Sequence, residues 1–272
     1  MKEIVERLVD LIGETSSSLP EDVLAALRRA RLREKAGSSA RLVLSTILEN
    51  CDLAARRGTP LCQDTGTLAF FVAERLRRTV TPQAIARATR LATRRGCLRK
   101  NTLEPLSGHS YDDNVCPGAP VVRYGEQYPG VTLLMKGGGS ENMSRQYSLP
   151  DASLGAGRDL EGVRRCVLCA VQEIQGYGCA PGILGVVVGG DRASAYEAAK
   201  EQLLRPLDEP SATPFESKLL REANRLGVGP MGLGGKTTLL GVKMTTLPRV
   251  PASFFVTIAY MCWACRRRTI RI

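Results

Sequence analysis

"LEGVRRCVLCAVQEIQGYGCAPGILGVVVGG", residues 160–190, changes its period halfway along. From Leu160 to Gln175 the residues Val163, Val167, Ala170, Val171 and Ile174 fall on one stripe at helical spacing, which predicts an amphipathic helix. "GYGCAPG" then breaks the helix, and "ILGVVVGG" is a short apolar run between glycines, which reads as a buried strand. A helix turned straight into a buried strand points to a chain that mixes both kinds of element around its core.

The neighbouring sequence extends the pattern. A further helix runs to about Arg205, and another spans 214–226, with Pro214 at its start and Gly227 at its end. Two strands, "TLLGVKM" and "FFVTIAY", close the chain. On the N-terminal side, "APVVRY" and "GVTLLM" flank the turn-rich "GEQYP" and read as a hairpin. The first hundred residues read mostly as helix. One helix carries the stripe Ile4, Leu8 and Leu11 and stops at Gly13, a second opens at Ser18 and Pro20 and ends near Gly37, and a third runs from Ser39 to Gly58. The expectation is one α+β domain over 1–272, mostly helical over 1–100 and mixed over 101–272, with a largely antiparallel mixed sheet flanked by helices.

Composition narrows the function. In 272 residues, 43% are hydrophobic and 24% charged, the balance of a globular protein. No apolar run reaches about 18 residues, and "MKEIVERLVDLIGE" is an amphipathic helix with acids rather than a signal peptide, so a soluble cytoplasmic protein without a membrane role is expected. Nine cysteines without an export signal argue for reduced thiols. A net charge of +11, with His109 the single histidine, points to an anionic partner. Nine basic residues and no acid lie between Arg75 and Lys100. Arg87, Arg90 and Arg94 share one face of a helix begun by Thr81 and Pro82. With no aromatic residue to stack on bases, a solvated or subunit-facing surface is the better reading than a nucleic-acid patch.

The cysteines divide by context. Cys51, Cys97, Cys166 and Cys169 lie in helix or at helix edges, and the C-x-x-C of Cys166 and Cys169 is better read as buried structural thiols. Cys62 in "PLCQDTG", Cys179 in "GYGCAPG" and Cys262 in "YMCWACRR" lie in loops or at strand ends beside glycine, proline or aromatic residues. Glycine beside a thiolate lets backbone N–H groups approach sulfur, as iron-sulfur ligands require. Cys116 and Cys265 compete for a fourth position. "GVGPMGLGGKTT" mimics a phosphate-binding loop, but Pro230 stands where that motif needs glycine, so a structural loop is expected.

Together "PLCQDTGT", "KGGGSEN", "QYSLP", "LGAGRDLEGVRRCVLCAV", "GYGCAPGILGVVVGGDR", "AKEQLLRPL", "ANRLGVGPMGLGGKTTLLGVK", "LPRVPASFFV" and "YMCWACRR" resemble the α subunit of class I fumarate hydratases, a family that includes L(+)-tartrate dehydratase α subunits. The motifs keep their order from about residue 10 to residue 270. The resemblance implies a hydro-lyase with a 4Fe-4S cluster on Cys62, Cys179 and Cys262, leaving one iron open as a Lewis acid for reversible hydration of fumarate to (S)-malate, with tartrate as the alternative substrate. It implies Asp64 as the group that gives or takes a proton, Gln63 as a substrate contact, Thr65 and Gly66 as the turn, and Arg99 as a partner for one carboxylate of a small dicarboxylate substrate. The N–H groups of Gly138 and Gly139 would meet its other end. Val250 departs from the histidine of several single-chain members. The resemblance further implies a separate β subunit completing the active site, in a hetero-oligomer with two α subunits. A redox iron-sulfur module and a nucleic-acid-binding protein are the remoter readings.

Overall fold

A computed structural model describes residues 2–174 and 176–272. In chain order the elements are α1 (Lys2–Ser17), α2 (Glu21–Arg33), α3 (Ser39–Arg57), β1 (Thr67–Ala73), α4 (Pro82–Arg94), β2 (Thr102–Leu103), β3 (Ser110–Tyr111), β4 (Val121–Gly125) and β5 (Val131–Lys136). They continue as α5 (Gly138–Asn142), β6 (Arg145–Ser148), α6 (Leu160–Ile174), β7 (Gly182–Gly189), α7 (Arg192–Gln202), α8 (Pro214–Arg225), β8 (Leu239–Leu247), β9 (Phe255–Met261) and β10 (Arg266–Ile270). This is the α+β class the sequence predicts. The strands form two four-stranded sheets and a β2–β3 ribbon, and in each four-stranded sheet antiparallel pairs outnumber parallel ones.

The chain divides into two compact units. The first comprises the residues to Pro20, Glu49–Gly138 and Ala264–Ile272. Its sheet has the order β10-β5-β1-β4. Leu68, Phe70 and Val72 of β1 share a face with Val131, Leu133 and Met135 of β5, as a period of two requires. The stripe Ile4, Leu8 and Leu11 of α1 and Ile85 of α4 complete that core. Phe70 is fully buried, and burying such a side chain stabilises by about 1.5–3 kcal/mol.

Several expectations are corrected here. The hairpin of "APVVRY" and "GVTLLM" does not form, because β1 lies between β4 and β5, parallel to one and antiparallel to the other. β1, "TLAFFVA", is apolar from Leu68 to Ala73, where it is buried on both faces; inside a region reading as helix, that run shows no strand alternation. The final strand, β10, lies beyond the two expected to close the chain; its "RRRTI" resembles a charged tail, yet Arg266 and Arg267 are buried. α1 runs on to Ser17 through Gly13, where a β-carbon would stand 3.4 Å from the Cys97 sulfur. The second helix ends at Arg33 rather than near Gly37.

Gly66 has φ +72°, and a β-carbon there would collide with the main-chain carbonyl of Lys136. Gly66→Ala therefore combines a left-handed backbone cost with overpacking, together about 2–4 kcal/mol. A thermal melt of that variant should show a midpoint lower by roughly 5–15 °C; an unchanged midpoint would mean the turn relaxes freely.

The second unit comprises Glu21–Leu48 and Gly139–Trp263, with sheet order β6-β9-β7-β8. The stripe Val163, Val167, Ala170, Val171 and Ile174 of α6 packs in its core with Leu184 and Val186 of β7 and Ile258 of β9. The expected helix end at Gln175 lies outside the described residues. Asp191 caps α7 through a capping box, and Thr213 caps α8 with Pro214 at its first turn.

Candidate functional site

In the first unit, the segment that follows α3 is pinned at successive points. The Leu61 N–H donates to the Ser16 carbonyl at 2.9 Å, and Asn50 Nδ2 donates to the Leu61 carbonyl at 3.1 Å. The Asp64 N–H donates to Cys62 Sγ at 3.4 Å. Thr65 Oγ1 accepts from the Arg99 N–H at 3.0 Å, tying the two segments together. Arg99 Nη1 in turn donates to the Gln63 carbonyl at 3.0 Å. Asn101 Nδ2 reaches Asp64 Oδ1 at 3.5 Å, the outer limit of a hydrogen bond. On the other side, a β-carbon on Gly137 would stand 2.7 Å from Asp64 Oδ2, so only glycine leaves the carboxylate its space.

Beside this turn lies a cavity of about 270 Å³, lined in part by Gly66, Asn101, Thr102, Asn114 and Gly138. Asn114, 3% exposed with φ +58°, accepts from the Asn101 N–H and Thr102 Oγ1 and donates to Thr93 Oγ1 and the Arg99 carbonyl. Its amide thus fixes the wall that carries Arg99 and Asn101. Cys62, Gln63, Asp64, Arg99 and Gly138 all belong to this unit.

The second unit carries Gly139, Cys179 and Cys262. Cys179 has φ +49°, a left-handed conformation that costs a residue with a β-carbon of order 1 kcal/mol. Its carbonyl accepts from the Trp263 N–H at 3.4 Å, which brings it beside the residue following Cys262. The Cys262 N–H donates to Ser140 Oγ at 3.1 Å. Tyr260 packs where β-carbons on Gly178 and Gly182 would intrude, and its hydroxyl is buried without a hydrogen-bond partner. Burial, with the Cys262 and Cys179 thiols nearby, holds that phenol neutral, far above its ordinary range. Gly138 and Gly139 begin the short helix α5 rather than an open loop.

The remaining chemistry-bearing residues take structural places. Cys166 is buried in α6, and burial pushes its thiol up to about 12, so it stays protonated. Cys169, expected to be buried, is only half-buried, with its sulfur donating to Glu173 Oε1 at 3.5 Å, and its partial burial raises the thiol. Cys265 is buried, and Cys116 lies at a bridge to Ala119. None of the nine cysteines forms a disulfide. Among the described residues no group of three or more His, Cys, Asp or Glu side chains is gathered as a metal site. The glycine-rich loop holds an internal anion instead of a phosphate: the Lys236 N–H donates to both Glu34 carboxylate oxygens at 2.9 and 3.1 Å, and Glu34 is 4% exposed. On the basic stretch Arg87, Arg90 and Arg94 are exposed, and Arg90 pairs with Asp113 at 2.8 Å. No helix among the described residues is long and apolar enough to cross a membrane. Val250 is exposed.

Sequence reasoning missed Asn101, Asn114, Ser140, Tyr260 and Arg266. Asn114 follows two aspartates in a turn, where asparagine tolerates the left-handed region, but its fourfold bonding depends on folding. Ser140 closes "KGGGS", and the reading stopped at the glycines.

The fumarate hydratase (Fumerase) family matches residues 5–271. A protein of Geobacillus stearothermophilus named "Putative fumarate hydratase class I" is 44% identical over 284 residues, which cover 100% of this chain and 55% of that protein. The "Putative L(+)-tartrate dehydratase subunit alpha" of Methanocaldococcus jannaschii is 32% identical over 285 residues, 99% of this chain and 97% of that subunit. The "L(+)-tartrate dehydratase subunit alpha" of Escherichia coli K12 is 27% identical over 287 residues, 100% and 91% of the two chains. Hydratases and dehydratases are hydro-lyases, and that is the class these likenesses define. The chain belongs to the fumarate hydratase family. It spans only about half the length of the Geobacillus relative.

Proposed function

We propose that this chain is the cluster-bearing α part of a cytoplasmic iron-sulfur hydro-lyase that reversibly hydrates fumarate to (S)-malate. The observation that carries the reading is the family match over residues 5–271. Cys62, Cys179 and Cys262 would hold a 4Fe-4S cluster. Local features at these residues support the reading: Cys62 sulfur already accepts a peptide N–H, Cys179 keeps a left-handed backbone, and Tyr260 keeps an unsatisfied buried hydroxyl beside the other two thiols. When bound, the cluster supplies a Lewis-acidic iron.

The chain's own residues do the rest. The Asp64 carboxylate gives or takes the proton of water, aimed by its turn and given room by Gly137. The Arg99 guanidinium binds one substrate carboxylate, for which its planar fork is suited. Gln63 orients the substrate, and the N–H groups of Gly138 and Gly139 meet its far end. Part of the +11 charge draws in the dianion, and part serves a separate β subunit that completes the site, in an assembly with two α subunits.

A second reading, the α subunit of an L(+)-tartrate dehydratase, is supported by two such subunits that are 32% and 27% identical to this chain over nearly all of its residues. The test is anaerobic reconstitution with the candidate β subunit, followed by parallel absorbance assays on malate and tartrate. Turnover of malate with little of tartrate supports the first reading; the reverse establishes the second, and neither activity removes both.

Crowding Asp64 should show its part separately. Gly137→Ala should lower turnover by about tenfold or more, because a displacement of about 1 Å at a reacting group is costly. Iron content should stay normal; full turnover would mean that the carboxylate has another place to stand.

A further inference from the structure

Arg266 stands on β10 opposite Met135 of β5 and is 2% exposed. Its Nη2 donates to the main-chain carbonyl of Asp64 at 2.7 Å. Nε and Nη1 of the same guanidinium are buried without a hydrogen-bond partner among the described residues. For a position that only had to complete a strand, this is a poor choice. A buried, incompletely satisfied cation costs stability, and an apolar side chain of similar volume serves as well or better. The bond it does make falls on one residue of the turn. The main chain of Asp64 is tied on both sides, at its N–H by the Cys62 sulfur and at its carbonyl by Arg266.

We propose that Arg266 is a positioning residue for the reaction: it touches no substrate and acts by fixing the Asp64 carbonyl, so that the carboxylate stands in its working direction. The inference rests on the role proposed above for Asp64. It requires that removing the guanidinium loosen the turn without loosening the strand.

The test compares Arg266→Met and Arg266→Lys with the parent by hydrogen–deuterium exchange on the unloaded chain, and by kcat and KM after reconstitution. In Arg266→Met, exchange over residues 62–66 should rise by about tenfold or more while residues 131–136, the strand paired with β10, stay within about twofold. kcat should fall by about ten- to a hundredfold with KM within about threefold. Arg266→Lys keeps the charge and one donor and should fall between. Unchanged exchange over 62–66 in both variants overturns the proposal, as does loosening of 62–66 and 131–136 together, which would make Arg266 a strand residue only. If Arg266→Met does not fold, Arg266→Lys decides by the same two segments. Full activity of Asp64→Asn would remove the role assigned to Asp64, while the exchange comparison would still decide whether Arg266 clamps the turn.

Discussion

Cys179→Ala should leave the anaerobically reconstituted protein without its iron, where the parent binds about four irons per chain, the content of a 4Fe-4S cluster. Cys62→Ala and Cys262→Ala should do the same, because three thiolates that leave one iron open have no spare ligand. The controls are Cys166→Ala and Cys169→Ala, which should keep full iron. Cys166 is buried in α6 with its thiol pushed up to about 12, so it offers no thiolate at neutral pH. Iron analysis and the visible absorption of the cluster measure the outcome. A Cys179→Ala protein with normal iron would end the assignment of that residue, and with it the explanation of why a cysteine occupies a left-handed backbone position.

The burial of Cys166 is legible in the sequence. Cys166 sits on a helical apolar stripe, and burial follows from that periodicity. Cys62, Cys179 and Cys262 stand beside residues that bend the chain, and each has a local backbone feature to match. The Cys62 sulfur accepts a peptide N–H, Cys179 has a positive φ, and the Cys262 N–H is held by Ser140. Glycine and proline act within a few residues, so sequence reports them well.

What failed to show was long-range. β1 carries no alternation because both its faces are covered, and its position between β4 and β5 depends on residues about fifty and sixty places away. The supposed hairpin was a sound local reading of two apolar runs and a turn. A third strand paired with both, and a local rule has no access to that competition. Arg266 is the same lesson in a side chain. A run of three arginines carries no local sign of burial, and only pairing with β5 takes this one out of water and lays it on the Asp64 carbonyl.

Asp64→Asn tests the other half of the proposed chemistry, because it keeps the shape of the side chain and removes the group that exchanges a proton. Turnover should drop by about a hundredfold or more, the usual scale for a lost general acid or base. Iron content should stay normal, since the contacts that hold the turn are made by the main chain of this residue: its N–H to the Cys62 sulfur and its carbonyl from Arg266. Those bonds do not depend on whether the side chain ends in a carboxylate or an amide. The Asn101 amide, 3.5 Å from Asp64 Oδ1, can face the amide oxygen of the variant as it faced the carboxylate. Loss of activity with the cluster intact therefore separates proton transfer from cluster assembly. If the variant turned over at the parent rate, Asp64 would be a turn residue whose carboxylate does no chemistry, and the space that Gly137 leaves for it would need another explanation.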